Sequence, residues 1–327
     1  MTKARDLADY TGLQADLAGL QTNITAGDTT ARAGRKNLII NGSAMVSQRG
    51  SYTSATTIQN ASYFLDRFRF QNSVVTGTVQ HTSISLNGVN KKAIKVAATS
   101  TGTGYLILQQ TVEFQSIQVG ENYTVSCWVR SNNANTRFRQ NTFRATSEDG
   151  TAFTNDGNWE KVSWTFSSTG TTGSPTINIA MYNNANVSIS NGDYFEITEL
   201  QLETGSVATD FEHRSYGEEL RLCERYFYRY QGTTQERIWN ENNGATAKWW
   251  FLTFPRMRTT PTATFSPAWI GGGIVTMSGT ISSMTGGGSS STAFSFRVTN
   301  SSAGGNAKQT YHTDSFSQDY CYLSAEL

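Results

Sequence analysis

The chain has 327 residues, of which 16% are charged, and its 26 lysines and arginines nearly balance its 25 aspartates and glutamates. A nearly neutral chain gives no support to binding of nucleic acid or of an anionic membrane, because both require a basic excess. The length favours two or more domains. The 29 glycines and an aromatic content of 12% favour many short strands joined by turns. The composition is instead compatible with binding to neutral surfaces, sugars or proteins.

The cysteines and the start of the chain bear on the compartment. Cys127, Cys223 and Cys321 lie far apart, and their odd number leaves one over after any pairing. Cys127 and Cys223 lie in apolar patterns, so we expect buried free thiols and assembly in a reducing cytoplasm. Met1 precedes a polar stretch, and no segment approaches the roughly 20 apolar residues that cross a bilayer. We expect neither a signal peptide nor membrane insertion.

The first predicted element is a short N-terminal helix. Its apolar residues recur three and four apart over about two heptads, which is the a/d pattern of a coiled coil. A lone helix this short is marginal in water and needs a partner. It either packs on its own domain or acts as a homotrimeric neck or a peg that docks on another protein. Residues 25–36 have the composition of a linker, so the first segment is 1–36. The helix residues are Tyr10, Leu13, Leu17, Leu20 and Ile24.

Residues 37–213 carry the signal of an antiparallel sheet domain. Apolar residues alternate in several runs, such as 125–129, 162–166 and 177–181, and turn-rich pieces separate the runs. Many short strands without a helical run predict a two-sheet sandwich of the jelly-roll type. In the last strand the alternation slips by one residue at Thr198 and Glu199, which predicts a bulge.

The third predicted domain, residues 214–327, is rich in β-structure and begins with a helix. Ser215 and Glu218 form a capping box, and apolar residues from Tyr216 to Phe227 follow at helical spacing. Strands are predicted at 248–254, 262–266 and 291–299. The first of these is apolar on both faces, which favours cover by a neighbouring subunit. The Gly/Ser-rich segment 271–291 is predicted to form a flexible loop or a hairpin.

Several segments resemble the bacteriophage tail-fibre and virion-fibre proteins that carry a carbohydrate-binding-like jelly roll. The resemblance spans most of the chain and is most specific at 201–227. It implies a homotrimeric, receptor-binding virion protein that recognises host surface glycans, with no catalytic residues to carry over. The segments are ARDLADYTG at 4–12, NLIINGSAMVSQRGS at 37–51, YFLDRFRF at 63–70, YTVSCWVRSN at 123–132, QLETGSVATDFEHRSYGEELRLCERYF at 201–227, FPRMRTTPTATF at 254–265 and the terminal SAEL.

The charged residues of these segments are predicted to have structural rather than catalytic or ligand-binding roles. Asp66 and Arg67 lie between apolar residues and predict a partly buried ion pair or a hydrogen-bond anchor. Glu196, Glu199 and Glu203 could bind a structural calcium ion, but the chain has no dense aspartate cluster beside them, so we predict structural roles and no cofactor. The three histidines are isolated, so no transition-metal site is predicted.

Aromatic residues offer the remaining sign of binding. Sugars pack their C–H faces on Trp and Tyr rings while their hydroxyls bond Asn, Asp and Gln. Trp239, expected on a loop, with Asn240 and Asn242, and Trp249, expected on a strand, are the predicted ligand residues. Most tryptophans are expected in the core, and Trp249 is also open to packing against another protomer.

These observations predict a non-enzymatic protein of the virion that adsorbs to host cell-surface polysaccharide. Its expected partners are copies of itself and phage tail, adaptor or capsid proteins, bound through the N-terminal segment. One alternative is a capsid-decorating head fibre or cement protein. A glycan-degrading tailspike is the minor alternative, since two suitably spaced carboxylates can come from distant strands.

Overall fold

The computed structural model divides into two compact units, each built from more than one segment. The first contains residues 36–43, 53–60 and 70–213, and the second contains 44–52, 61–69 and residues from 214 onward. The predicted N-terminal helix and residues 25–35 of its linker lie outside the described residues. The structure describes residues 36–113, 116–143, 147–170, 174–231, 239–242, 247–265, 281–289, 293–300 and 320–326.

The first unit is a jelly-roll sandwich of two antiparallel sheets, which confirms the predicted mainly β fold. The sheets pack face to face, and the Tyr123 ring of one lies 5.9 Å from the Phe143 ring of the other. In spatial order, the first sheet contains β1 (Thr56–Thr57), β4 (Gly77–Leu86), β5 (Val89–Ala98), β13 (Tyr194–Thr204), β7 (Asn122–Ser131) and β10 (Glu160–Ser167). In the second sheet, β3 (Arg69–Ser73) is followed by β6 (Gly102–Thr111), β11 (Thr176–Met181), β8 (Thr136–Asn141) and β9 (Glu148–Ala152), and β12 (Val187–Ile189) also pairs with β6.

The core of this unit follows the predicted alternation. In β11, Ile177, Ile179 and Met181 are fully buried. Burial of each such side chain contributes roughly 1.5–3 kcal/mol. Cys127 of β7 is buried and free, as predicted, and burial raises the pKa of its thiol above the ordinary range.

The predicted slip in the last strand of the jelly roll is confirmed as a bulge. The register of β13 against β7 shifts between Thr198 and Gln201, and Glu199 has a φ of +54°. One extra residue at this point keeps the apolar residues on the core side, because Ile197 pairs with Val129 and Leu202 with Val125.

In its described residues, the second unit combines one helix with two small antiparallel sheets. Its helix α1 (Tyr216–Glu224) begins at the predicted cap, where the Ser215 hydroxyl accepts a hydrogen bond from the Glu218 amide at 3.3 Å. Cys223 of α1 is buried and free, whereas Tyr216 in the first turn is 57% exposed, unlike the apolar stripe expected from the sequence. A short strand, β2 (Ser62–Tyr63), lies in an earlier segment of the unit.

The sheets of the second unit agree with the strands predicted for the C-terminal domain. Residues 281–289, in the Gly/Ser-rich segment, form one strand of a hairpin, which is the second of the two predicted alternatives. The three-stranded sheet contains β14 (Phe227–Gln231), β20 (Tyr320–Ser324) and β17 (Thr262–Phe265). The four-stranded sheet contains β15 (Trp239–Asn242), β16 (Ala247–Thr253), β19 (Ala293–Asn300) and β18 (Ile281–Ser289).

A buried charge network joins distant segments within the second unit. Asp66 accepts hydrogen bonds from the amide and the side chain of Gln48, at 2.6 and 3.0 Å. Arg67 pairs with Glu326, and its guanidinium lies 3.5 Å from the centroid of the Tyr226 ring. Four of the segments that carry the family resemblance therefore meet here. The sequence-based division placed residues 44–52 and 61–69 in the jelly roll, but these contacts tie them to the second unit.

Candidate functional site

One face of the second jelly-roll sheet is polar and aromatic, and it lies on the side away from the core. Ile177, Ile179 and Met181 of β11 face the core, so Asn178 and Ala180 take the opposite side. Asn178 is paired in register with Gln109 of β6 and with Arg139 of β8. Tyr105 of β6 and Tyr182, directly after β11, extend the same side. We call these five residues the polar face.

The two tyrosines of the polar face form an aromatic edge. Their ring centroids are 6.1 Å apart with an interplanar angle of 83°, and the Arg139 guanidinium lies 4.6 Å from the Tyr182 centroid. Tyr105 and Tyr182 are both partly exposed. Neither hydroxyl has a hydrogen-bond partner among the residues that the structure describes. The rings therefore offer π surface together with unused polar groups.

Arg139 is held in place by its neighbours. It donates through Nη1 to Asp149 at 2.5 Å and through Nε to Asn141 at 3.1 Å. The second carboxylate oxygen of Asp149 accepts from the backbone amide of Asn184 at 2.6 Å. Asp149 thus fixes the guanidinium over Tyr182, and this preorganisation lowers the entropy cost of binding a ligand there.

The floor of the polar face contains buried polar atoms without protein partners. Asn178 is 0% exposed, and its amide nitrogen donates to the Arg139 carbonyl at 3.3 Å. Its Oδ1 and the hydroxyl of Thr176 on the same strand have no hydrogen-bond partner in the described part of the chain. Gln109 is bonded to Gln71 at 2.8 Å. An unsatisfied buried acceptor costs about 1–3 kcal/mol.

The arrangement of the polar face suits a polyhydroxylated ligand. The partly exposed rings can pack against C–H faces, while the tyrosine hydroxyls and the Arg139 guanidinium can form hydrogen bonds with sugar hydroxyls. Asp149 is already bonded to Arg139 and to the Asn184 amide, which makes it a positioning group. The face offers recognition chemistry rather than an evident pair of catalytic carboxylates.

The predicted ligand residues lie in the second unit, on paired strands. Trp239 was expected on a loop, but the structure places it in β15, where it pairs with Phe251 of β16. Asn240 and Asn242 are in the same strand, and Trp249 is in β16 opposite Glu241. Strand formation by this aromatic-rich stretch overrode its apparent turn character. The side chains lie outside the described part of the structure, so a role in ligand binding stays a prediction.

The glutamates of β13 make internal bonds. Glu196 accepts from Nε and Nη2 of Arg130 at 2.8 and 2.6 Å, and from the Thr82 hydroxyl. Glu199 pairs with Lys91. Glu203 accepts from the amide and hydroxyl of a threonine in the following turn. No group of three or more His, Cys, Asp or Glu residues that could hold a metal ion occurs within the described ranges.

The predicted anchors and histidines also have definite places. Asp66 and Arg67 are 0% and 1% exposed, and each is bonded to other segments, which confirms the hydrogen-bond anchor. His213 is exposed, and its Nε2 lies 3.9 Å from Glu199. His312 lies outside the described residues. As for membranes, the described part of the chain has no helix that is long and apolar enough to span one.

Sequence analysis did not identify the polar face. Its signal is the polar phase of the same alternation that predicted the strands: Asn178 lies between two core isoleucines, and Arg139 lies between Phe138 and Gln140. A period of two assigns these residues to the outer face, but which strands are neighbours depends on non-local pairing. Tyr105 and Tyr182 are 77 positions apart in the numbering and meet only because β6 pairs with β11.

Comparison with known proteins finds weak structural similarity. No protein-family model and no curated protein matches the chain. The enzymatically active domain of bacteriophage CBA120 tailspike protein 4 is 13% identical with a TM-score of 0.35, over 52% of this chain and 21% of the tailspike chain. TmCBM61 in complex with β-1,4-galactotriose is 14% identical with a TM-score of 0.32, over 52% of this chain and 100% of that module. A family 16 carbohydrate-binding module is 14% identical with a TM-score of 0.31, over 51% and 99%.

These identities and TM-scores are low, so neither the fold nor the function of this chain is inferred from these proteins. The matches cover about half of this chain, and the chain spans about a fifth of the tailspike.

Proposed function

We propose that this chain is a non-enzymatic virion fibre protein that adsorbs to host cell-surface polysaccharide through the polar face of its jelly roll. The observation that carries the proposal is the aromatic edge of that face, where two partly exposed tyrosine rings lie edge to face and the fixed Arg139 guanidinium packs on one of them. A sugar supplies both the hydroxyls and the C–H surface that these groups can bind. The family resemblance of the sequence supports the virion as the setting.

The proposed mechanism is multivalent adsorption. One sheet face with a few aromatic and amide contacts supports weak binding of a single glycan. A homotrimer presents three equivalent faces, and several trimers on one particle convert weak single-site binding into durable attachment. Trimerisation and attachment would use the N-terminal segment 1–36. A solution mass near three times 35.9 kDa is the expected result for the full chain.

The test of the proposed site is glycan binding by matched tyrosine variants. We expect the purified protein to bind host cells and to compete with intact particles for adsorption. Tyr182→Ala removes the ring beneath Arg139 and should weaken single-site glycan binding about 2- to 12-fold, given 0.5–1.5 kcal/mol for an aromatic contact. The matched control is Tyr194→Ala, which removes a partly exposed tyrosine from the other sheet. Equal binding by both variants would refute the site.

A second measurement tests the role on the particle. Antibody labelling of virions should place the chain on tail structures. Labelling confined to the capsid, with no competition for adsorption, would instead indicate a decorating head fibre or cement protein. Release of reducing sugar from host polysaccharide by the purified chain would contradict the non-enzymatic part of the proposal.

A further inference from the structure

The second unit contains a cavity of about 260 Å³. Two of its lining residues are arginines, Arg49 and Arg229, and none of the lining residues that the structure describes carries a carboxylate. Its volume is slightly below the roughly 300–1,000 Å³ of pockets for drug-sized ligands, so it fits a ligand of about one sugar ring. We call this cavity the arginine pocket. Its lining residues are Gln48, Arg49, Tyr52, Tyr63, Phe227, Arg229 and Tyr322.

Aromatic rings and the buried charge network fix the position of Arg49. Its guanidinium carbon lies 3.9 Å from the Phe227 ring centroid and 5.0 Å from that of Tyr63. One nitrogen pairs with Glu326. Its Nε is buried and has no hydrogen-bond partner in the described part of the chain. Arg49 is therefore ordered before any ligand arrives, and one of its donors is still unused there.

The charge around the pocket is positive. Glu326 is shared by Arg49 and Arg67, so one carboxylate serves two guanidinium groups. Arg229 adds a third guanidinium and donates to the Gln48 carbonyl at 3.2 Å. The buried Asp66 holds the other side of Gln48 through two hydrogen bonds. With Asp66 ionised, these three guanidinium groups and two carboxylates sum to one positive charge, and guanidinium groups in a partly buried cavity attract an anion.

The aromatic wall selects what kind of anion fits. Phe227 is buried, and Tyr52, Tyr63 and Tyr322 are partly buried. Burial raises the pKa of the Tyr52 hydroxyl, which keeps it a neutral hydrogen-bond donor. No hydrogen bond to that hydroxyl occurs among the described residues. An inorganic anion would pair with the arginines but would not contact the aromatic rings. A sugar ring that bears a carboxylate would pair with the arginines and also pack against the aromatic rings.

We infer that the arginine pocket binds one acidic sugar residue, a uronate or sialate carried on a polysaccharide. Its carboxylate meets the Arg49 and Arg229 guanidinium groups, and its ring packs against the tyrosines. This site is separate from the polar face of the jelly roll. It adds a charged-sugar specificity in the other unit, and it does not depend on whether the polar face binds glycan.

The test is a titration of the full-length protein, followed by NMR or calorimetry, with three free acidic sugars: galacturonate, glucuronate and N-acetylneuraminate. At least one should bind at low salt, and the methyl ester of that sugar should bind at least about tenfold more weakly, because it keeps the ring and loses the charge. Raising the salt should weaken binding of the acid. Failure of all three acids to bind, or equal binding of acid and ester, overturns the inference.

Matched variants locate the binding. Arg229→Gln should weaken binding of the acidic sugar about tenfold or more. Arg256→Gln changes an exposed arginine of the same unit outside the pocket and should leave binding unchanged. Tyr52→Phe keeps the ring but loses one hydroxyl, and it should weaken binding of the acidic sugar a few-fold. This variant tests the pocket independently if Arg229→Gln does not fold. Unchanged binding in both pocket variants contradicts the site.

Two further binding measurements distinguish an acidic-sugar site in the arginine pocket from glycan binding at the polar face and from binding of a peptide carboxylate. Tyr182→Ala, in the polar face, should leave binding of the acidic sugar intact even if it abolishes binding of a neutral glycan. N-acetylglycine, a peptide carboxylate without a sugar ring, should bind more weakly than the acidic sugar. If it binds as tightly or more tightly, the pocket recognises peptide carboxylates and the sugar assignment is wrong.

Discussion

The polar face of the first unit and the buried charge network of the second use the same side-chain types in different surroundings. Both place an arginine on a tyrosine ring and hold it with a carboxylate. In the network Asp66 and Arg67 are at most 1% exposed, and each is bonded to another segment. In the polar face Tyr105 and Tyr182 remain partly exposed. Exposure, rather than residue type, therefore separates a binding surface from a structural core.

The largest effect is expected where the network loses a buried charge. Arg67→Met keeps the apolar volume but leaves Arg49 as the one guanidinium partner of the Glu326 carboxylate within the described residues, which should destabilise the second unit by about 3–5 kcal/mol. Urea unfolding checks this value, with hydrogen exchange at the α1 amides assigning the transition to the second unit.

The control for Arg67→Met is Arg69→Met, two residues along the same segment. Arg69 donates to the Ala61 carbonyl at 3.1 Å at an exposed site, so its loss should cost about 1 kcal/mol or less. If the two variants were equally stable, Arg67 would carry no special structural role, and the contrast between network and face would fail.

A smaller effect is expected for the charged pair of the first unit. Glu196 is 1% exposed, but its partner Arg130 is 34% exposed and can turn to water when the carboxylate is removed. Glu196→Ala should therefore cost about 1.5–3 kcal/mol, less than Arg67→Met. Glu121→Ala, at an exposed carboxylate, is the matched control in urea unfolding. A cost above that of Arg67→Met would show that solvent access does not explain the difference.

The helix cap of the second unit gives a still smaller effect. Ser215→Ala removes the acceptor of the Glu218 amide and should cost about 1 kcal/mol. Ser215→Asp, which restores an acceptor, should recover most of that stability. Ser206→Ala, at an exposed serine of the first unit, should change little. A Ser215→Ala variant as stable as wild type would show that water replaces the cap without cost.

The sequence predicts much of the fold because local patterns carry it. The alternation in 177–181, the slip at Thr198 and Glu199, and the Ser215 cap each rest on neighbouring residues, and each is confirmed. The jelly-roll class follows from the number of strands and the absence of helical runs. Local periodicity fixes which side of a strand is buried, whatever strand lies beside it.

The site was not predictable in the same way. The polar face brings Tyr105 together with Tyr182, and the network brings Gln48 together with Glu326, through pairings that no local pattern encodes. Trp239 shows the converse, because its polar neighbours indicated a loop while the chain forms a strand opposite Phe251. Non-local pairing decides both outcomes. It also explains why segments 44–52 and 61–69 belong to the second unit.

The smallest expected effect is a pH dependence that reports on Asp66 alone. Burial raises the pKa of this carboxyl above its ordinary value of 3.8, against the opposing effects of the Gln48 hydrogen bonds and of Arg49. Just above pH 3.8 the folded protein keeps a proton that the unfolded chain has released. Because stability falls with pH wherever the folded state binds more protons, the contribution of Asp66 decreases as pH rises through this window.

Asp66→Asn removes this titration and one acceptor of the Gln48 donors. The advantage of wild type over Asp66→Asn should therefore be largest below about pH 4 and should shrink as the pH rises to neutrality. Urea unfolding of both proteins across this range measures the difference, and groups that titrate equally in both cancel. An advantage that grows with pH would mean that the folded pKa lies below the ordinary value. In that case hydrogen bonding to Gln48, rather than burial, would dominate at Asp66.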